Sequence, residues 1–291
     1  MASLKKVRQV LPRPARFNMV GDGFRVYNYF PNGYPIREQF SPFLMLDFNP
    51  EHDFGPSARP RGVDVHPHKG FETVTIAYKG HVAHHDSTGN SGVIHPGDVQ
   101  WMTAGDGILH KEYHETEFSK TGGPFEMVQL WVNLPAKFKS VPAGYQSIQS
   151  GDMGVYKLPG EKGEVRVIAG EMNGVKGPAK THTPIYVYDM RLNSGAEVNW
   201  HVPELFNSAL LSIEGEGEVN GSHFKPHDFV FFTNEGETLQ LKAKSECTLL
   251  FLAGEPIHEP IAQYGPFVMN SMQEIHKAIE EFNSGKFGHL D

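Results

Sequence analysis

The chain carries one cysteine, Cys247, among 291 residues. A single thiol cannot close an intrachain disulfide, so nothing in the sequence requires an oxidising compartment. Cys247 sits in the apolar run ECTLLFLAG, and we read it as a buried apolar residue rather than a reactive thiol. No apolar run approaches the ~18–20 residues that would span a bilayer. The first residues, MASLKKVRQVLPRPARF, lack the apolar stretch of a secretory signal. The expected location is the cytoplasm, or also the nucleus in a eukaryotic cell. A surplus of positive charge is lacking too: 26 Lys and Arg stand against 34 Asp and Glu, a formal net charge of −8. That argues against a nucleic-acid-binding surface but leaves docking on a protein partner open. Helical periodicity is scarce until the last twenty-odd residues, which points to a β protein.

The hydrophobic fraction of 39% with 21% charged residues is that of a soluble globular chain. The length suits one large or two ordinary domains with real cores. From residue 43 onward, short runs of β-branched and aromatic residues recur between Gly, Asn and Pro turns. PFLMLDF, FETVTIAY, VQWMT and FEMVQLWV are strand candidates in the first half, and VRVIA, IYVYDM, SALLSI, DFVFF and TLLFL in the second. Such spacing predicts an all-β sandwich or barrel in each half. Weaker patterning and Pro135 and Pro142 place a linker near residues 136–145. Near the end, Ser271 and Glu274 fit a capping box, and Ile275, Ala278, Ile279 and Phe282 follow helical spacing up to Gly285.

The chemistry concentrates in two short stretches. In VHPHKGFETVTIAY, His66 and His68 stand at i and i+2, so an extended strand turns both imidazoles to one face. In ILHKE, His110 and Glu112 repeat that geometry with an imidazole and a carboxylate. Three imidazoles and a carboxylate form a borderline donor set that accepts Fe(II), Mn, Ni, Cu or Zn. An octahedral ion held by four side chains keeps positions for substrate or O2, whereas closed structural zinc sites more often use Cys. Glu72, close after His68, is the rival carboxylate. In the second half His201 stands alone, and His223 and His227 flank a Lys-Pro turn.

Together these features resemble the two-part cupin signature. HPHKGFETVT, GVIHPGDVQWMTAGDGILHKE, QLWVNLP, LFLAGEPIHEPIAQYGPFVMN and the terminal helix resemble one cupin family, the pirins, over nearly the whole chain. The resemblance implies two cupin barrels of double-stranded β-helix or jelly-roll type, with a short C-terminal helix. It divides the chain into a metal-binding barrel over 1–138 and a barrel without metal over 139–291. It implies one metal, usually iron, held by H-x-H and H-x-E: His66, His68, His110 and Glu112. Many other cupins use the Glu after H-x-H, so the family pattern is what favours Glu112 over Glu72. His84 and Asp86 match an H-x-D that the family tends to carry. His85 and Asp106 depart from basic residues expected in relatives, and His114 falls where many cupins have Asn.

The implied activity is that of a quercetin 2,3-dioxygenase, opening a flavonol with O2 and releasing carbon monoxide, with Glu112 as catalytic base. Phe48, Phe54 and Met127 are expected to line the pocket. The alternative within the family is a non-enzymatic, redox-sensing regulator acting through a protein partner. A third reading is a metal-binding bicupin acting on another small molecule.

Overall fold

The computed structural model describes residues 3–291. Strands dominate. The first are β1 (Val7–Leu11), β2 (Asn18–Val20), β3 (Phe24–Phe30) and β4 (Phe43–Phe54). They continue with β5 (Gly62–His68), β6 (Phe71–Lys79), β7 (Val82–Asp86) and β8 (Ser91–Ile94). β9 (Val99–Thr103), β10 (Ile108–His114), β11 (Gly123–Asn133) and β12 (Gly144–Ile148) complete the first half. A short helix, α1 (Thr116–Thr121), precedes β11, and the terminal helix is α2 (Met272–Asn283).

The chain forms two compact units. One contains residues 14–38, 42–150 and 257–291. Its strands make a seven-stranded sheet ordered β12-β9-β6-β11-β4-β3-β2 and a four-stranded sheet ordered β5-β10-β7-β8, all pairs antiparallel. Two facing sheets of this kind are what a cupin barrel requires. The β6 sequence FETVTIAYK is rich in residues that favour a pleated surface, and all but its last residue are buried. Gly80 ends β6 at φ +76°, and a Cβ there would lie 2.6 Å from the Phe125 ring, so glycine is required by both conformation and space.

Of the expected linker, residues 136–145, Ala136–Phe138 form a single helical turn and only the last two residues enter β12. It pairs with β9, placing Tyr145 opposite Met102. Its sequence GYQSI has a glycine and an exposed serine, so its alternation is too weak to announce an edge strand. The terminal helix forms where the capping box and apolar stripe place it. Ser271 Oγ accepts from the Glu274 backbone N–H, and Glu274 Oε2 accepts from the Asn270 N–H. Ile275 and Ala278 pack with Phe267, Met269 and Phe287 within the same unit as the first barrel.

The other unit contains the N-terminal segment through Arg13, residues 39–41 and residues 151–256. Its seven-stranded sheet runs β1, Phe229–Phe232, Asn207–Glu214, Cys247–Gly254, Ile185–Leu192, Gly163–Ala169, Gly154–Lys157. A four-stranded sheet from Glu197–His201, Thr238–Ala243, Gly217–Val219 and Ser222–Phe224 completes this barrel. Tyr188, Trp200, Leu210, Val230, Leu239 and Phe251 fill the core with apolar side chains. Cys247 is part of that core, as its setting in an apolar strand led us to expect.

Candidate metal centre

β5 and β10 pair so that His66 lies directly across from His110, and His68 across from Ile108. The i, i+2 spacing turns both β5 histidines to one face. The ring centroids of His66, His68 and His110 are 4.8, 4.3 and 4.7 Å apart (66–68, 66–110 and 68–110). Each ring offers a nitrogen within 4.8 Å of the others. His66 Nδ1 lies 2.8 Å from the Asp64 carbonyl, to which it donates, and this leaves Nε2 as the ligand atom.

Burial holds His68 and His110 well below the ordinary histidine pKa, and the neighbouring imidazoles lower them further. They are therefore neutral, with lone pairs available to a cation. Both ring nitrogens of His110 and Nδ1 of His68 are buried without a hydrogen-bond partner. Orphaned buried nitrogens are costly, about 1–3 kcal/mol each, and coordination by one nitrogen from each of the three rings that meet here would relieve part of that cost. The residues present fit a divalent transition metal.

Glu112 shares the inner face of β10 with His110 but does not join the three-histidine group. A bulge between the two shifts the register, so Glu112 stands opposite Val63. Its carboxylate accepts from Thr75 Oγ1 at 3.3 Å and Gln129 Nε2 at 3.2 Å. Burial raises its pKa, opposed first by His66 and then by these two donors. Glu72 lies on the opposite face of β6 from Thr73 and Thr75. It accepts from Thr103 Oγ1 at 2.6 Å, and burial lifts its pKa to about 7.

The inner face of the large sheet forms the rest of the chamber. Phe71 and Trp131 stand 5.0 and 5.4 Å from the His68 ring. Beside them a polar row crosses the strands in register: Asn28, Asp47, Gln129, Thr75 and Gln100. Asn28 Nδ2 donates to Asp47 at 2.7 Å, while burial lifts the Asp47 pKa to about 6. Towards the base, Phe24, Val26, Ala77, Val82, Phe125 and Met127 close the barrel with apolar packing.

The remaining candidates fall into place around this frame. His84 faces Glu112 across the ladder, and Asp86 faces His110. His85 points to the other face and stacks on Tyr113, 5.7 Å away. His114 sits low in the barrel, its Nε2 2.8 Å from the Gly23 carbonyl and its ring stacked on Phe125. His95 pairs with His81 at an exposed turn, 3.0 Å between Nδ1 atoms. Asp106 holds Lys69 and Lys286. Of the three expected pocket residues, Met127 and Phe54 belong to the apolar base around His114. Phe48 lies on the face of β4 opposite Asp47, away from the chamber. Sequence reasoning missed Gln129, Trp131 and Tyr145. The usable signal was Gln129 itself, a lone amide inside the otherwise apolar strand MVQLWV.

Family models match this chain in two places, Pirin over residues 23–132 and the Pirin C-terminal cupin domain over residues 187–288. A Pseudomonas aeruginosa protein provisionally named a quercetin 2,3-dioxygenase is 45% identical over 284 residues, 98% of this chain and 99% of that one. The chain belongs to the pirin family. Pirin-like protein 2 of Arabidopsis thaliana is 42% identical over 85% of this chain and 75% of its own. Among solved structures, a quercetin 2,3-dioxygenase from Acinetobacter baumannii superposes with a TM-score of 0.94 at 44% identity, covering 99% of this chain and 100% of that one. The Escherichia coli pirin YhhW, solved with nickel(II), shares the fold at a TM-score of 0.65 and 20% identity, over 86% of this chain and 99% of its own. This pirin therefore carries the two cupin barrels and the C-terminal helix that its sequence implies. Among the described residues no helix is long and apolar enough to cross a membrane.

Proposed function

We propose that this pirin binds one divalent transition metal, most naturally iron, through His66, His68, His110 and Glu112, and opens a flavonol such as quercetin with O2. The observation that carries the reading is the convergence of three imidazole nitrogens within 4.8 Å, with Glu112 on the same strand face. The quercetin 2,3-dioxygenase name of a 44% identical structure points the same way. The donor set also accepts Mn, Ni, Cu or Zn. In this reading the unit of residues 14–38, 42–150 and 257–291 supplies the metal barrel, the other unit forms the barrel without metal, and the protein works in the cytoplasm.

A bound divalent ion supplies Lewis acidity, which lowers the pKa of a coordinated hydroxyl. The chain does the rest. Three neutral imidazoles add no charge of their own, so the site stays electrophilic. Glu112, shifting from ligand to base, would take the proton of the flavonol 3-hydroxyl, helped by the burial that raises its pKa. Thr75 and Gln129 hold its carboxylate for that task. Phe71 and Trp131 offer a flat apolar wall to an aromatic ring beside His68.

The experiment is to measure bound metal, reconstitute with Fe(II), and follow quercetin absorbance and carbon monoxide release under air. His110→Ala is the control. Turnover by the metal-loaded protein and none by the variant is the expected result. A fully loaded protein that leaves quercetin intact would remove the dioxygenase reading. The regulator reading would then take its place, tested by pull-down of a protein partner.

A further inference from the structure

We propose that Asp86 and Tyr145 form a hydroxyl-recognising pair in the metal chamber, built to accept a hydrogen bond from a second oxygen substituent on an aromatic ligand. The proposal rests on the metal-chamber reading above and adds what selects the ligand.

Asp86 closes β7 directly across from His110, so both side chains share the inner face. Its two oxygens have different surroundings. Oδ1 accepts from Thr88 N–H at 2.6 Å, Thr88 Oγ1 at 2.7 Å and Asn90 N–H at 3.1 Å. Those three donors fix the carboxylate. Oδ2 is buried and without a hydrogen-bond partner. A carboxylate that is 97% buried, with one oxygen fully bonded and the other unpaired, is an unstable arrangement unless that oxygen has a task.

Tyr145 reaches the same place from β12, the far edge of the large sheet. Its ring stacks on His84 with centroids 5.1 Å apart and planes at 24°. Its hydroxyl oxygen is also buried without a hydrogen-bond partner. Burial, then the charges of Asp86 and Glu112 and the close approach of the Asp86 side chain, push the hydroxyl pKa upward, so Tyr145 stays protonated. His84 in turn fits because Gly92 faces it across the ladder. A Cβ on Gly92 would come within 2.7 Å of His84 Nε2. Three elements therefore converge to hold one hydroxyl and one carboxylate oxygen beside the metal ligands.

The chemistry selects the ligand class. A carboxylate oxygen only accepts, whereas a Tyr hydroxyl both donates and accepts. Such a pair takes a phenolic O–H, which donates to Asp86 Oδ2 while accepting from Tyr145, and disfavours a methoxy group or a bare carbonyl, which would leave the carboxylate oxygen unpaired. An aromatic ligand with one oxygen on the metal and a neighbouring hydroxyl on this pair, as in a catechol or a polyhydroxylated flavonol, matches both stations.

The test uses a chromophoric catechol, 4-nitrocatechol, titrated anaerobically into the metal-loaded full chain, with 2-methoxy-4-nitrophenol as comparison. Asp86→Asn retains an oxygen for the three turn donors and replaces the free oxygen by an amide donor. Tyr145→Phe keeps the stack on His84. Each variant should weaken 4-nitrocatechol binding by roughly tenfold or more, with metal content unchanged. The double variant should lose little beyond either single one, because the pair acts as a unit. The preference for 4-nitrocatechol over its methyl ether should shrink in both. Equal affinities in all proteins would overturn the proposal, as would a wild-type protein that is fully metal-loaded and does not bind 4-nitrocatechol. Loss of metal from either variant would overturn it too, since the pair would then serve the ligands rather than the substrate. Pair-dependent 4-nitrocatechol binding by a protein that leaves quercetin intact would remove the dioxygenase reading alone.

Discussion

Gln129 Nε2 donates to Glu112 Oε2 across 3.2 Å, joining the two sheets of the first barrel at the one carboxylate that shares the β10 strand face with His110. Gln129 comes from β11 in the large sheet and Glu112 from β10 in the small one. Groups that orient a ligand from behind commonly govern metal affinity by about 10- to 100-fold. Gln129→Leu should weaken metal binding by that order. Competition against a chelator of known affinity measures it, and an unchanged affinity would remove Glu112 from the ligand set.

Acid should destabilise the metal-free protein through its histidines. Burial depresses His68 and His110 below the ordinary value of 6.5. Below about pH 6.5 the unfolded chain takes up protons that the folded imidazoles refuse. Their contribution is therefore full above that pH and is lost as pH falls. Melting temperatures of the metal-free protein between pH 7.5 and 5 should drop more steeply for wild type than for His68→Gln or His110→Gln. Equal slopes would contradict the assignment.

Glu72 should act with the opposite sign. Its pKa is raised from 4.5 to about 7 by burial. The protonated folded form is favoured at low pH, and that advantage disappears as pH rises through about 7. The penalty at pH 8 is on the order of 3 kcal/mol. Glu72→Gln should raise the melting temperature at pH 8 and do little at pH 4.5. A fall in metal content in this variant would make Glu72 a ligand after all.

The shared strand faces of the candidate ligands were legible because they are local. Strand alternation alone places His66 with His68, and His110 with Glu112. The capping box and apolar stripe of α2 are equally local. What was not legible depends on pairing. Whether Glu72 shares the face of His68 depends on the turn at Lys69 and Gly70, where Gly70 adopts φ +85°. The bulge after His110 that sets Glu112 against Val63 is a property of two strands, not of one. Asp47 and Gln100 were hidden for another reason. Their strands are buried on both faces, so a polar inner row does not stand out against an exposed one. Tyr145 was lost because its strand is short and lies at a sheet edge.

The C-terminal helix should contribute to the metal barrel through Lys69, the neighbour of His68. Lys69 Nζ donates to Asp106 at 2.6 Å and lies 3.1 Å from Glu281 on α2, with its side chain 5% exposed. Removing a buried member of such a network leaves its partners uncompensated, at a cost of roughly 3 kcal/mol. Lys69→Ala should lose about that much in urea unfolding. Lys286→Ala, which removes a half-exposed partner of the same carboxylates, should lose about 1 kcal/mol or less.

The central claim is a single metal on His66, His68 and His110, and metal stoichiometry tests it most directly. The purified chain, its His66→Ala and its His110→Ala variants would be loaded with Fe(II) anaerobically, desalted and analysed for bound metal. We predict close to one ion per wild-type chain and a near-complete loss in both variants, with the folded state retained. One ion per chain in either variant would contradict the account.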